Sequence, residues 1–477
     1  MGGYGLSRKG KRFISICTVF LSLFLFLRLS VDTTTNVTEI ATTSIHELSS
    51  HELEMMQNLG SSLDNTPVAV AAKLRLYEKL RLYKKKYAKE HKRIYRDLFP
   101  WLKFKAEETS NNRRGIVMCL GDNSERSRSA FSVGYSAIQM IRRVWKSDIA
   151  IQVYYIGGQD LSLQSRENLL KIRGVTVHDL EDYFDNESLE IKGFFCKPYA
   201  LLASSFRKVM LLDADTILLQ SPEMILQSKK FSRSGMLFWH DRSVRQWQYR
   251  KSPRFVYSLL DPPEGISYSG LRYLRGQTSH EMEAGVLLID KRQHNSGILA
   301  AVKLLDPIHG VRDKVQEHIL GDKELYWIGL AIMSTRQIVF ADNYKTGAVG
   351  VRVKNALNGN TDKVCSTQAF HLDELGDPAW FNAGLAEDKY NSASKLAKIT
   401  GYLVEPGTWN PTERNKWCLE SNSYQNQFMP FDDDTLKQID KMKRIYSRTI
   451  RDARRQEQGQ MPQQEPTEEE VEEEELF

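Results

Sequence analysis

Residues 208–222 read KVMLLDADTILLQSP. An apolar run, Val209 to Leu212, stops at two carboxylates one residue apart, Asp213 and Asp215. Apolar residues then resume until a Ser-Pro ends them. The run has the length and composition of a buried strand. The acidic pair at its end can be read in three ways. Asp is common in turns, so the pair can simply open one. The first Asp can be a phosphate-attacking nucleophile. Or the two carboxylates can hold a divalent cation against a diphosphate, because Mg²⁺ and Mn²⁺ take oxygen ligands.

The surrounding chain narrows the choice. GIVMCLG (115–121), IAIQVYYIG (149–157) and VTVHDL (175–180) are strand candidates. Between them, 130–145, 165–174 and 197–206 carry helical patterns. Strands alternating with helices predict an α/β fold around a mostly parallel, twisted sheet. In such sheets ligands bind outside the carboxyl ends of the strands, and that is where Asp213 and Asp215 stand. No GxGxxG and no GxxxxGK[ST] comes after any of these strands, which argues against dinucleotide and P-loop sites. LLDADTIL matches the D-x-D-x-T pattern of haloacid-dehalogenase-like phosphatases, in which the first Asp attacks phosphorus. That motif opens its domain, however, whereas about 100 residues of α/β chain precede it here.

The chain of 477 residues is 41% hydrophobic and 26% charged, ordinary for a globular protein. Its net charge is +6, and residues 465–477 hold eight Glu without Lys or Arg, so the remainder carries +14. We expect residues 454–477 to be a disordered acidic tail. At the other end Arg8, Lys9, Lys11 and Arg12 precede an apolar run through residues 13–31. About 19 residues suffice to cross a bilayer, and no small-x-small cleavage site closes the run. The basic flank places the tail 1–12 in the cytosol and everything after residue 31 on the far side. Sequons at Asn36 and Asn186 agree with that side. So does an even set of cysteines, Cys119, Cys196, Cys365 and Cys418, for which three disulfide pairings are open.

Residues 32–112 read as a stem before a domain of 113–453. Within it, 73–98 carries Leu76, Leu80, Tyr83, Tyr87 and Ile94 at helical spacing, with Lys and Arg on the other faces. This basic amphipathic helix can pack on the next domain, on another chain in a homo- or hetero-oligomer, or near anionic partners.

Three later stretches supply candidate site residues. HEMEAGVLLIDK (280–291) is a strand preceded by Glu283-Ala284-Gly285, small residues beside an acid that permit close backbone approach. GDKELYWIGLAI (321–332) is an apolar helix with Asp322 expected as N-cap and Lys323 and Glu324 in its first turn. CSTQAFHLDELGDPAWFN (365–382) places His371 after a strand-like run, a plausible nitrogen ligand to complete a metal site with Asp213 and Asp215.

SSFRKVMLLDADTILLQSPE, HEMEAGVLLIDK, GDKELYWIG and CSTQAFHLDELGDPAWFN, in that order, resemble the fungal Golgi mannosyltransferases of glycosyltransferase family 71. DADT (213–216) with GDKELYWIG and the later GAVG (347–350) is most similar to the α-1,3 branch, with α-1,2 transfer the near alternative. The resemblance implies a GT-A-like, Rossmann-type mixed sheet flanked by helices. It also implies a Golgi type II membrane protein held by one transmembrane helix. The expected reaction is retaining transfer of mannose from GDP-mannose to mannose on N- or O-linked glycans of glycoproteins. Asp213, Asp215 and His371 would hold Mn²⁺; Asp213, Lys323 and Gly285 would contact the donor; Glu283 and Asp322 would serve the sugar. A more distant likeness, to glycogenin-type enzymes, carries a diphosphate-binding Lys before Pro-x-Trp; this chain has Asp377 there, so another cation must make that contact. No nucleic-acid partner is expected. The readings from other classes are the phosphatase and a lumenal mannan-binding protein without turnover.

Overall fold

The computed structural model describes residues 66–457, together with Ser49, Glu52 and Glu54. Left out of that span are 84–85, 107–112, 124, 247–250, 261–266, 309–310, 334–336, 342–344, 355–361, 388–393, 413–415 and 422–425. The expected membrane span, Asn36 and most of the acidic tail therefore lie outside the described residues. Among the described residues no helix is long and apolar enough to cross a membrane. The chain divides into two units, Met1–Ser61 and Ser62–Phe477. In the first, Ser49 and Glu52 exchange backbone–side-chain hydrogen bonds of 2.7 and 3.2 Å, the reciprocal pattern of a helix start.

The second unit begins with two helices where the periodicity predicts one: α1, Pro67–Leu82, and α2, Ala88–Leu98. Thr66 caps α1 by accepting from the Ala69 N–H at 3.2 Å, and Pro67 fits its first turn. Leu76, Leu80 and Ile94 are buried. The Tyr77 ring stacks on His91 at 5.1 Å. Arg75 donates to the Leu259 carbonyl at 2.7 Å, and the Trp101 indole donates to Asp306 at 2.9 Å. The apolar stripe is thus spent on the chain's own core. Both helices belong to the same compact unit as residues 113–453.

The next strands are β1 (Arg114–Cys119), β2 (Ala150–Tyr155), β3 (Val175–Asp179), β4 (Lys208–Leu212), β5 (Met236–His240) and β6 (Met282–Asp290). They form one mixed sheet in the order β3-β2-β1-β4-β6-β5. β1 pairs parallel with β2 and β4, and β2 parallel with β3. β6 runs antiparallel to both β4 and β5. Helices α3 (Glu125–Arg143), α4 (Leu163–Leu170), α5 (Cys196–Ala203), α6 (Lys291–Lys303) and α7 (Leu325–Met333) connect or flank these strands. All nine residues of β6 are buried, which explains its unbroken apolar reading after Gly285.

Further strands are β7 (Gly347–Gly350), β8 (Asp362–Ser366), β9 (Ala369–Leu372), β10 (Pro378–Phe381), β11 (Gly401–Val404), β12 (Gly407–Pro411) and β13 (Trp417–Ser421). A second sheet has the order Met429–Pro430, β11, β7, β9, β10, Ile217–Leu218. Its last member comes two residues after Asp215. The acidic pair therefore sits where the chain leaves the first sheet and enters the second. A smaller sheet pairs β12, β13, β8 and Val353–Lys354. Helix α8 (Asp433–Glu457) seals the second core with Ile439, Met442 and Tyr446, beside Val133 and Met140 of α3. The disulfides are Cys119–Cys196, joining β1 to α5, and Cys365–Cys418, joining β8 to β13.

Candidate active site

β4 is apolar because it is covered on both faces, and its last residue, Leu212, is 1% exposed. The chain then turns. The Asp213 N–H donates to the Gly285 carbonyl at 2.9 Å, and the Thr216 N–H donates to the Asp213 carbonyl at 3.2 Å. Asp213 Oδ1 accepts from the Ala214 N–H at 3.0 Å. The Asp215 carbonyl accepts from the Gly384 N–H at 2.7 Å. The turn reading is therefore correct as far as it goes, and the turn ties Asp213 to β6 and Asp215 to the loop after β10. Gly285 is needed there, because a Cβ would lie 2.6 Å from Trp380 Cζ3 and 3.1 Å from Thr216 Oγ1. Trp380, on β10, meets Trp239 edge-on at 5.7 Å and stacks on His371 at 4.0 Å.

Two lysines tie the carboxylates together. Lys197 Nζ, from α5, lies 3.2 Å from Asp213 Oδ2 and 3.0 Å from Asp322 Oδ2. The Tyr326 hydroxyl donates to the same Asp322 oxygen at 2.8 Å. Lys323 Nζ lies 2.7 Å from Asp241 Oδ2 and 2.9 Å from Glu283 Oε2. The Asn382 amide holds the other Glu283 oxygen at 2.8 Å. Asp213 comes just after the end of β4, Asp241 just after the end of β5, and Glu283 starts β6. All three stand at one edge of the sheet, the edge where α/β sheets bind ligands.

These contacts set the charge states. Burial opposes the charge on Lys197, but Asp213 and Asp322 outweigh it and raise its pKa. Lys323 obeys the same logic through Asp241 and Glu283. Burial lifts the Asp322 carboxyl; Lys197 pulls it back, and the charge of Asp213 adds to the rise. Burial also works to raise Asp241, yet Lys323, Arg242 and His280 hold it well below the usual carboxylate range. Beneath these groups lies Glu281, whose carboxylate accepts from the Tyr273 N–H at 2.5 Å and stands 3.5 Å from His240 Nε2. Burial pushes Glu281 up to about 7.

The structure brings together Asp213, Gly285, Glu283, Asp322 and Lys323. It does not gather Asp213, Asp215 and His371 into a metal site, and among the described residues no three His, Cys, Asp or Glu side chains converge to hold an ion. The physical reason is at Asp213, whose outer oxygen faces the Lys197 ammonium. His371 lies fully buried against the Trp380 ring. Asp322 is not the N-cap of α7, which begins at Leu325; its carboxylate serves Lys197 and Tyr326 instead. Asp373 and Glu374 cap turns: Asp373 accepts from the N–H groups of Leu375 and Asp377, Glu374 from those of Lys229 and Lys230. The sequon residue Asn186 is tied on both sides, its amide donating to Glu181 at 3.1 Å and its oxygen accepting from the Ile191 N–H at 2.8 Å.

Three site residues escape the sequence reading. Lys197 had a signal, since it is the one charge in the otherwise apolar CKPYALLA, and a lysine is rarely buried unpaired. Asp241 ends MLFWHD as Asp213 ends VMLLD. Asn382 had none.

The cluster of acids and lysines thus stands where α/β sheets bind their ligands. A family profile described as "Mannosyltransferase putative" matches residues 113–373. The chain belongs to that family, which bears out the resemblance read from the four motifs. "Putative alpha-1,3-mannosyltransferase MNN15" of Candida albicans is 31% identical over 216 residues, covering 42% of this chain and 28% of the relative. Alpha-1,3-mannosyltransferase MNT2 of Saccharomyces cerevisiae is 24% identical over 284 residues, covering 51% and 48%. The chain thus spans less than half the length of these relatives. Among solved structures, the Saccharomyces cerevisiae mannosyltransferase Ktr4p in complex with GDP aligns at a TM-score of 0.30 with 10% identity. That alignment covers 60% of this chain and 83% of the other, too slight a likeness to carry an inference.

Proposed function

We propose that this chain is a retaining, metal-dependent α-1,3-mannosyltransferase with a GT-A-like fold. It transfers mannose from GDP-mannose to mannose on a glycoprotein glycan. The linkage is supported by the names of the curated relatives. The observation that carries the proposal is the lysine-bridged set at the sheet edge: Asp213 and Asp322 share Lys197, and Asp241 and Glu283 share Lys323. GDP leaves as an anion, and fixed cations in a low-dielectric site stabilise charge developing on a leaving group. Lys197 and Lys323 are the cations in place to do so, which supplies what Asp377 cannot. The donor types of Asp213, Asp215 and His371, two carboxylates and an imidazole, suit Mn²⁺; this structure does not gather them, so to hold the ion they would have to come together. When bound, the ion would add positive charge beside the diphosphate. Glu283, held by Lys323 and Asn382, and Asp322, held by Lys197 and Tyr326, are fixed ionic groups for the sugar side.

A Golgi-membrane location is part of the proposal. Its supports are the basic-then-apolar N-terminus and two disulfides, which persist in oxidising compartments. The test incubates the full chain with GDP-mannose, Mn²⁺ and a mannose oligosaccharide. A product one hexose heavier, with α-1,3 linkage, is expected, and chelation of divalent cations should abolish it. Free phosphate in place of a heavier glycan would sink the transferase reading. Full activity after chelation would sink the metal dependence.

A further inference from the structure

Phe194 is a large apolar side chain that the fold leaves in water. It is 61% exposed, in a short turn, Gly193–Phe195, just before α5. Its neighbour Phe195 is partly buried, with the Arg312 guanidinium 5.2 Å over its ring. Single exposed apolar residues need no explanation. Phe194 differs in where it stands. The Lys197 ammonium, which bridges Asp213 and Asp322, lies 5.7 Å from the centre of its ring, within cation–π range. Gly321, the residue before Asp322, packs against the same side chain: a Cβ there would sit 3.7 Å from Phe194 Cβ and Cδ2. Leu320, one residue further back, is 54% exposed. Two exposed apolar residues thus stand close in the chain to this pair, Phe194 three positions before Lys197 and Leu320 two before Asp322.

We infer that Phe194, with Leu320 beside it, is the platform on which the acceptor's pyranose ring lies. This rests on the transferase reading and names the acceptor subsite of that same site. Lys197 meets Asp213, Asp322 and the Phe194 ring, and Gly321, next to Asp322, lies against the same side chain. The aromatic ring therefore adjoins Asp322, which the proposed function gives to the sugar side, through both Lys197 and Gly321. A pyranose has an apolar face of C–H groups and a hydroxylated rim. An exposed aromatic ring held by a buried cation matches the face, and the carboxylates behind it match the rim. An exposed ring also loses little conformational freedom when it is covered, having two side-chain torsions.

The test is steady-state kinetics of the full chain with Phe194→Ala, Phe194→Trp and Leu320→Ala. Phe194→Ala should raise the KM for a mannose oligosaccharide about tenfold, equivalent to about 1.4 kcal/mol. The KM for GDP-mannose should stay within about twofold, the scatter expected where no contact is lost. Phe194→Trp should restore acceptor binding, and Leu320→Ala should show a smaller rise of the same kind. An unchanged acceptor KM in Phe194→Ala would overturn the inference. So would a parallel rise in the donor KM, which would assign the ring to the guanine base. Calorimetric binding of the oligosaccharide without donor keeps the two readings apart. If wild type transfers no hexose, the transferase proposal fails, while a loss of oligosaccharide affinity in Phe194→Ala still supports the platform and equal affinity still refutes it.

Discussion

Replacing Lys197 with Met removes one charge and strands two. The ammonium is 7% exposed and Asp322 4%, so the pair has little water to fall back on, whereas Asp213 is 28% exposed. At an effective dielectric of about 20, a contact of 3 Å is worth roughly 5 kcal/mol before desolvation is subtracted. Breaking a buried pair by removing one partner costs about 3–5 kcal/mol in net stability. Methionine fills much of the lysine stem's volume, so packing contributes little of that loss. The loss has a valve, because Asp322 can take up a proton. Burial already holds its pKa above that of a free carboxyl, and loss of Lys197 lifts it further. A carboxyl whose folded pKa exceeds its unfolded value binds more protons when folded, so stability falls as pH rises from about 4 toward the folded pKa. The Lys197→Met deficit should therefore be small near pH 5 and largest near pH 8. The assay is the urea midpoint at unchanged slope, with disulfides intact, at pH 5, 6, 7 and 8. Lys197→Met with Asp322→Asn should recover most of the deficit at pH 8, since the stranded charge is gone. A deficit under about 1 kcal/mol at pH 8, or one equal at every pH, would refute the reasoning.

Two other perturbations probe the same edge of the sheet. Gly285→Ala should destabilise by about 1–3 kcal/mol, because its Cβ forces the Trp380 ring away from its packed position; a normal urea midpoint together with wild-type transfer would contradict that. Glu281 is raised by burial to about 7. Wild-type stability should lose about 3 kcal/mol between pH 4.5 and 7 through this group, and Glu281→Gln should remove that slope. Parallel pH profiles of the two proteins would show that Glu281 does not titrate as described.

The parts of the fold legible in the sequence are those fixed by local pattern. The β1–α3–β2–α4–β3 alternation and β4 ending at Asp213 emerge from apolar runs and their stops. The break between α1 and α2 was hidden, because Tyr83 and Tyr87 continue the helical stripe across it. The pairing of Ile217–Leu218 with β10 was also hidden, since nothing local says that a strand two residues past Asp215 joins a different sheet. At the site, residues that end strands in acid were visible as anomalies. Their partners were not: Lys197 is 16 positions before Asp213 and 125 before Asp322, and only the crossing of α5 over the sheet edge brings them together. The expected metal triad is not gathered in this structure for the same reason. Sequence spacing shows which carboxylates are near each other, but not which cation already faces them.

The dipeptide Asp322-Lys323 shows what the arrangement achieves. Adjacent residues in a turn send their side chains in different directions. Asp322 reaches the Lys197–Asp213 pair at the end of β4, while Lys323 reaches Asp241 and Glu283 at the ends of β5 and β6. One short segment thus clamps three strand termini through alternating charges. Shifting it would break both lysine bridges at once and leave Asp322 and Glu283, each 4% exposed, without their cations. Because either loss alone is costly, the two sets of contacts should hold or fail together. Buried ion pairs of this kind add little to stability over apolar packing. In the proposed transfer their use is to hold fixed charges where the reaction develops its own, so that none has to reorganise when the leaving group departs.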